Sequence, residues 1–328
     1  MPSPLRDNFG RRMDYLRLAV TDRCNLRCQY CMPAQGMEFA HRSEVLSWDE
    51  MERLCRIFVD SGVRKIRITG GEPFARQGLT GFLARLQGFR NQPDTGITTN
   101  GTLLTHHLEQ LQSIDVTSLN VSLDSLLPET FAKITRRTDF EQTLGAIHEA
   151  YDRGFRLKIN MVVLPGVNDH EIPDFVRLTT DKDITVRFIE PMPFNGEDIS
   201  ALEPMTGDEI LDKILQEFPL RNLGENSSKV ASLYQVPDYA GKIGIIYGYS
   251  RSFCDSCSRI RVSATGQLRT CLYGSNVLDL RNMLRVGSSD IQIREAIREA
   301  LQNRYKSGVE AEAANTLNQY ESMSTIGG

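Results

Sequence analysis

Between Tyr15 and Glu190, short β-branched and apolar runs alternate with longer stretches whose apolar residues recur at helical spacing. That alternation predicts parallel strands joined by crossover helices. Strands are expected over residues 15–20, 65–69, 96–99, 118–123, 157–163 and 185–189, with helices at 48–61, 103–112, 140–153 and 171–180. Six such units predict an α/β fold, a partial (βα)6 TIM-like barrel; periodicity alone leaves an open nucleotide-binding sheet as the alternative. Barrel enzymes place their chemistry at the C-terminal ends of the strands. The unusual residues of this stretch fall there, in segments 21–31, 69–74, 98–101, 122–124 and 190–194.

After Pro191 the pattern changes. Pro193, Asn195, Gly196 and Pro204 mark a loop ahead of a helix at 207–218. Short strands are expected at 229–236, 242–247, 260–264 and 267–271, the last two joined at Thr265-Gly266 as a hairpin, followed by a helix at 291–305. The division expected is residues 1–195 as the barrel and 196–328 as a smaller C-terminal α+β domain.

Charge narrows the ligand classes. With 38 basic against 42 acidic residues there is no global field for nucleic acid or an anionic membrane, so an anionic ligand has to be met locally. No window approaches the length and apolarity of a membrane span, and the first ten residues lack the apolar core of a signal peptide, so a cytoplasmic protein is expected. In that reducing setting seven cysteines are not a disulfide framework. Six of them form two clusters, and Cys55 reads as core packing on a helix face.

Cys24, Cys28 and Cys31 are spaced C-x3-C-x2-C on the loop after the first strand. Thiolates suit zinc or iron–sulfur centres, but structural zinc wants a fourth protein ligand, and His41 lies outside the usual spacing. A cubane held by three cysteines leaves one iron for an external chelate. This loop, with Tyr30 before its last cysteine and Gly70-Gly71-Glu72-Pro73 after the second strand, resembles the radical S-adenosylmethionine superfamily. Cys254, Cys257 and Cys271, spaced C-x2-C-x13-C, read alone as a zinc ribbon with a distant fourth ligand; beside the first cluster they read as a second open iron–sulfur site.

Within that superfamily the whole chain resembles the enzymes that cyclise GTP at the start of molybdopterin synthesis. The resemblance rests on Asp7 to Arg11, Tyr15-Leu16-Arg17, Lys65 to Pro73, Thr98 to Gly101, Asn120 to Ser125, Lys158-Ile159-Asn160, Arg187 to Met192, Phe253 to Arg261 and the terminal Gly327-Gly328. It implies that Tyr30, Gly71, Ser122 and Met192 contact S-adenosylmethionine, and that Arg17, Arg67, Thr98, Lys158, Arg259, Ile260 and Arg261 contact GTP. Basic side chains suit a triphosphate, since arginine forks pair with phosphate oxygens and lysine supplies a mobile charge. A cation on an inward strand position without an anion would be costly.

The resemblance further implies two [4Fe-4S] clusters, a lyase reaction forming (8S)-3′,8-cyclo-7,8-dihydroguanosine 5′-triphosphate, and catalytic roles for Arg17, Arg259 and Arg261 at a transient radical or proton. The first cluster would generate a 5′-deoxyadenosyl radical that takes the ribose C3′ hydrogen, and the second would hold the guanine. It implies a flavodoxin or ferredoxin as electron donor and cyclic pyranopterin monophosphate synthase as the next enzyme, with a homodimer kept open. A peptide maturase with an auxiliary cluster is the rival; such enzymes carry more C-terminal cysteines and a peptide-binding segment, neither evident in this chain.

Overall fold

The computed structural model describes residues 4–192, 204–225, 231–251, 254–315 and 322–327. Six parallel strands succeed one another as expected: β1 (Tyr15–Ala19), β2 (Lys65–Thr69), β3 (Asp94–Thr99), β4 (Ser118–Ser122), β5 (Arg156–Val162) and β6 (Thr185–Ile189). The later strands are β7 (Arg221–Glu225), β8 (Ser232–Gln235), β9 (Lys242–Ile246), β10 (Arg259–Val262), β11 (Gln267–Arg269) and β12 (Leu278–Asp279).

All belong to one sheet of order β12-β11-β10-β1-β2-β3-β4-β5-β6-β9-β8-β7. β10 lies parallel to β1 and β9 parallel to β6, so the parallel run extends past the predicted units at both edges. The C-terminal strands thus continue the barrel wall. The expected loop at Pro193, Asn195 and Gly196, and with it the 195/196 boundary, lies outside the described residues, as do Phe253 and Gly328. The Thr265-Gly266 hairpin is present as the antiparallel pair β10–β11.

The strands are two-faced. Leu16, Leu18, Ile66, Ile68, Ile97, Leu119, Val121 and Ile159 pack in the core between sheet and helices. The intervening residues, among them Arg17, Arg67, Thr98, Asn120, Lys158 and Arg187, occupy the opposite face, because successive strand side chains alternate. Helix Trp48–Asp60 starts at a capping box of Ser47 and Glu50 and buries Met51, Leu54, Cys55 and Phe58; Cys55 is core, as expected. Helices Gly207–Leu215 and Asp290–Gln302 start at the same device, Thr206 with Glu209 and Ser289 with Gln292. Each such cap is worth about 1 kcal/mol.

The expected helix at 103–112 is instead a 3-10 turn, Leu104–His107, running into helix Leu108–Ser113. Strand β7 was not legible: Arg-Asn-Leu-Gly-Glu has weak strand propensity and is held by pairing with β8.

Candidate active site

The first cysteine loop is clamped between the ends of β1 and β2. Gly71 N–H donates to the Thr21 carbonyl at 2.8 Å and Glu72 N–H to the Arg23 carbonyl at 2.8 Å. A Cβ on Gly70 would sit 2.2 Å from the Thr21 carbonyl oxygen, and one on Gly71 would sit 2.2 Å from that of Arg23, so glycine is required at both. A turn in which Cys31 N–H and Met32 N–H both reach the Cys28 carbonyl, each at 2.9 Å, sets the second cysteine spacing. Asn100 Nδ2 donates to Cys24 Sγ at 3.7 Å.

Glu72 braces this end of the barrel by accepting from Phe74 N, Thr99 Oγ1 and Asn100 N; burial raises its carboxyl to about 7 in spite of those donors. Burial also pushes the Cys24 thiol up to about 12 and Cys31 to about 11. Burial of this kind disfavours a free thiolate.

All three thiols line a large cavity at the C-terminal ends of the parallel strands, which also takes in Tyr30, Gly71, Ser122 and Met192. Tyr30 OH donates to Asp124 Oδ2 at 2.7 Å, and Val162 N–H to Asp124 Oδ1 at 2.9 Å. Burial raises Asp124 to about 6.

Toward the inside, the walls become cationic. Arg17, Arg187, Arg259 and Arg261 line the cavity. Burial and neighbouring cations lower Arg187 to about 9 and Lys158 to about 8; burial is also the main cause that lowers Arg17 to about 10. Tyr15 is lowered too, but against burial: burial would raise it, and Arg67, Arg17 and Lys65 outweigh burial and hold it near 7. Arg67 and Arg187 each rest on a glycine of the next strand. A Cβ on Gly96 would lie 2.3 Å from Arg67 Nη1, and one on Gly244 would lie 2.9 Å from Arg187 Cγ.

Arg67 donates to the Ile97 and Ser118 carbonyls at 3.2 and 3.3 Å, yet its Nε, the Nε of Arg187, and Asn120 Oδ1, Asn160 Oδ1 and Thr98 Oγ1 are buried without a hydrogen-bond partner. The two Nε–H groups and the Thr98 hydroxyl are donors that fit an anion on a positive wall, whereas the two amide oxygens are acceptors and suit donor groups of a ligand.

The second trio sits beside this cavity. Cys254, Cys257 and Cys271 line a smaller recess, and Arg259, Arg261 and Leu272 border both spaces. Donors aim at the sulfurs: Arg304 Nη2 lies 3.1 Å from Cys257 Sγ and Gly308 N lies 3.2 Å from Cys254 Sγ. Burial would raise Cys257, but Arg259 and Arg304 bring it down to about 6, a thiolate at neutral pH. Among the described residues no three His, Cys, Asp or Glu side chains converge on one point as ligands of a single ion do. Cubane thiolates bind separate irons and need no such convergence.

The C-terminal segment reaches the same cavity. Ser322 Oγ donates to the Cys31 carbonyl at 2.6 Å, and Arg261 Nη1 donates to the Gly327 carbonyl.

Most residues singled out in the sequence therefore meet in one place, with three corrections. Ile260 points into the apolar core, so any contact with a ligand in the barrel would be through its main chain. Arg67 and Lys158 lie on inward strand positions but outside the residues lining the large cavity. The second trio faces that cavity across Arg259, Arg261 and Leu272, not directly. Arg187, Asp124 and Asn100 fall in segments the sequence singled out but carried no individual role there, and Arg304 was missed. Arg187 had a signal, because it alternates with Val186 and Phe188 as Arg17 does with Leu16 and Leu18.

This fold and site define a radical S-adenosylmethionine protein, and residues 18–179 match the model of the Radical SAM superfamily. Residues 184–309 match that of Molybdenum Cofactor Synthesis C. A solved structure of anSMEcpe with bound AdoMet and a Cp18Cys peptide superposes with a TM-score of 0.59 over 95% of this chain and 82% of that one. SuiB of Streptococcus suis, bound to its precursor peptide SuiA, gives 0.57 over 84% and 65%. At 14% and 15% identity both show the fold alone.

GTP 3′,8-cyclase of Geobacter sulfurreducens is 43% identical over 331 residues, 99% of each chain. Molybdenum cofactor biosynthesis protein 1 of mouse is 41% identical over 89% of this chain but 46% of its own length, so the chain spans about half of that relative. The chain belongs to the GTP 3′,8-cyclase family of radical S-adenosylmethionine proteins.

Proposed function

We propose that this chain cyclises GTP to (8S)-3′,8-cyclo-7,8-dihydroguanosine 5′-triphosphate, the first step toward molybdopterin. The observation that carries the reading is the cationic wall of Arg17, Arg187, Arg259 and Arg261 on the large cavity beside the two cysteine trios, with Arg187 Nε buried and unpartnered. Buried cations are costly until an anion pairs with them, and a triphosphate offers several charges and acceptors in one molecule.

Cys24, Cys28 and Cys31 would hold one [4Fe-4S] cluster and Cys254, Cys257 and Cys271 the other; when bound, the first supplies the electron for cleaving S-adenosylmethionine and the second a ligand site for guanine. Tyr30, Gly71, Ser122 and Met192 surround S-adenosylmethionine, and Asp124 fixes Tyr30. Arg17 and Thr98, joined by Arg187, hold the triphosphate, while Arg67 and Lys158, on inward strand positions outside the cavity lining, add positive charge. Arg259 and Arg261, bordering both spaces, orient the base against the ribose and keep a proton within reach, with Ile260 contributing main chain only. Orientation of a ribose carbon against a base carbon is the main service such walls can supply.

In this reading residues 1–195 generate the radical and 196–328 complete the substrate wall. The setting is cytoplasmic, the electron donor a flavodoxin or ferredoxin, the recipient of product cyclic pyranopterin monophosphate synthase, and a homodimer is compatible. The test is anaerobic reconstitution with dithionite, S-adenosylmethionine and GTP. Formation of 5′-deoxyadenosine that depends on GTP is the expected result; its absence in a chain carrying about eight iron atoms sinks the reading.

A further inference from the structure

The recess around the C-terminal cysteines is closed by two segments from opposite ends of the chain, and one buried arginine joins them. Arg304 is 4% exposed. Its Nη2 donates to Cys257 Sγ at 3.1 Å, and its Nη1 lies 2.6 Å from Met13 Sδ and 3.6 Å from Asp7 Oδ2. Asp7 is not Arg304's own counter-ion, because Arg11 Nε holds the same carboxylate oxygen at 2.6 Å. Arg11 in turn donates to the Cys254, Lys306 and Tyr305 carbonyls at 2.8, 2.7 and 2.9 Å, which ties the N-terminal segment to both the cysteine loop and the chain that carries Arg304.

A guanidinium buried this deeply, with a shared carboxylate and two sulfur neighbours, needs further negative charge close by. A thiolate that is part of an iron–sulfur cluster supplies it, and more of it when the cluster is reduced. Hydrogen bonds to cluster sulfurs and nearby positive charge favour the reduced form and so raise the reduction potential.

We propose that Arg304 is a positioning residue for the C-terminal cluster, holding Cys257 by a charge-assisted N–H···S bond and setting that cluster's reduction potential above the value it would have without the guanidinium. The inference rests on the reading that Cys254, Cys257 and Cys271 hold an iron–sulfur cluster. Arg304 does not line the large cavity, so its action is on the cluster and not on the substrate.

The test is a redox titration followed by electron paramagnetic resonance on the anaerobically reconstituted full chain, with wild type, Arg304→Gln and Arg304→Lys compared, and iron counted in each. The cluster of the C-terminal trio is isolated in parallel by the same substitutions in a Cys24→Ala, Cys28→Ala, Cys31→Ala background. Arg304→Gln should keep its iron, leave the first cluster's midpoint unmoved and shift the second to lower potential, with Arg304→Lys in between. An unmoved second midpoint in both variants, or an equal shift of both clusters, overturns the proposal. Where Arg304→Gln loses the second cluster's iron, Arg304→Lys decides: a midpoint equal to wild type overturns it. A wild-type iron content of about four instead of eight overturns the two-cluster reading itself, which separates the two failures.

Discussion

Arg67 and Arg187 lie flat over Gly96 and Gly244, positions where any side chain would displace them. Gly96→Ala should therefore cost about 1–3 kcal/mol of stability by overpacking and weaken GTP binding together, read by thermal melting and equilibrium dialysis. Arg187→Ala should leave the fold intact and cost about 2 kcal/mol of GTP binding, roughly thirtyfold.

The same residues set a pH signature. Tyr15 is depressed from 10 to about 7 by the crowded positive charge of Arg67, Arg17 and Lys65, which outweighs burial, and Lys158 from 10.5 to about 8 by burial and neighbouring cations. A bound polyanion offsets that charge and raises both, so GTP binding near pH 8 should take up protons; calorimetry in buffers of different ionisation enthalpy measures the number. For Tyr15 the folded value lies below the unfolded one, so its stabilisation is full above pH 10 and is lost as pH falls through about 7.

At the scale of elements, the βα loops hold one another through carbonyls and carboxylates. Glu190 at the end of β6 accepts from Gly207 N at 2.6 Å and from Ser250 N at 2.7 Å, joining β6 to the helix after it and to the loop after β9. Glu190→Ala leaves the Gly207 N–H buried and unpaired and should destabilise by about 2 kcal/mol, with Glu190→Gln milder, as followed by anaerobic melting. Gly71→Ala drives a Cβ into the Arg23 carbonyl and should prevent loading of the first cluster only, leaving about four iron atoms per chain.

Among the described residues the strands form one sheet whose two outermost parallel strands, β9 and β10, both come from the C-terminal part. A chain ending at residue 195 would leave β1 and β6 as bare edges and uncover the core beneath Ile243, Ile245, Ile260 and Val262. Such a fragment should aggregate, not fold, because unpaired edges and exposed apolar faces invite association. A cooperative melt of soluble 1–195 by circular dichroism would show instead that the barrel is self-sufficient.

The parallel strands β1 to β6, the cysteine trios and Gly70-Gly71 were legible because each leaves a local mark: an alternation of period two, a fixed spacing, a turn that only glycine allows. The resemblance added the roles of residues that carry no local mark. What neither reached was decided by contacts between residues distant in sequence. β10 pairs with β1 across more than two hundred residues, Arg304 meets Cys257 and Asp7, and Gly96 makes room for Arg67. By itself the sequence determined which residues face the barrel and which face the helices, since backbone geometry imposes that choice one strand at a time. The tertiary structure alone decided that the C-terminal strands complete the same wall, and that the inward cations stand close enough to depress one another, because charge and register act across space and not along the chain.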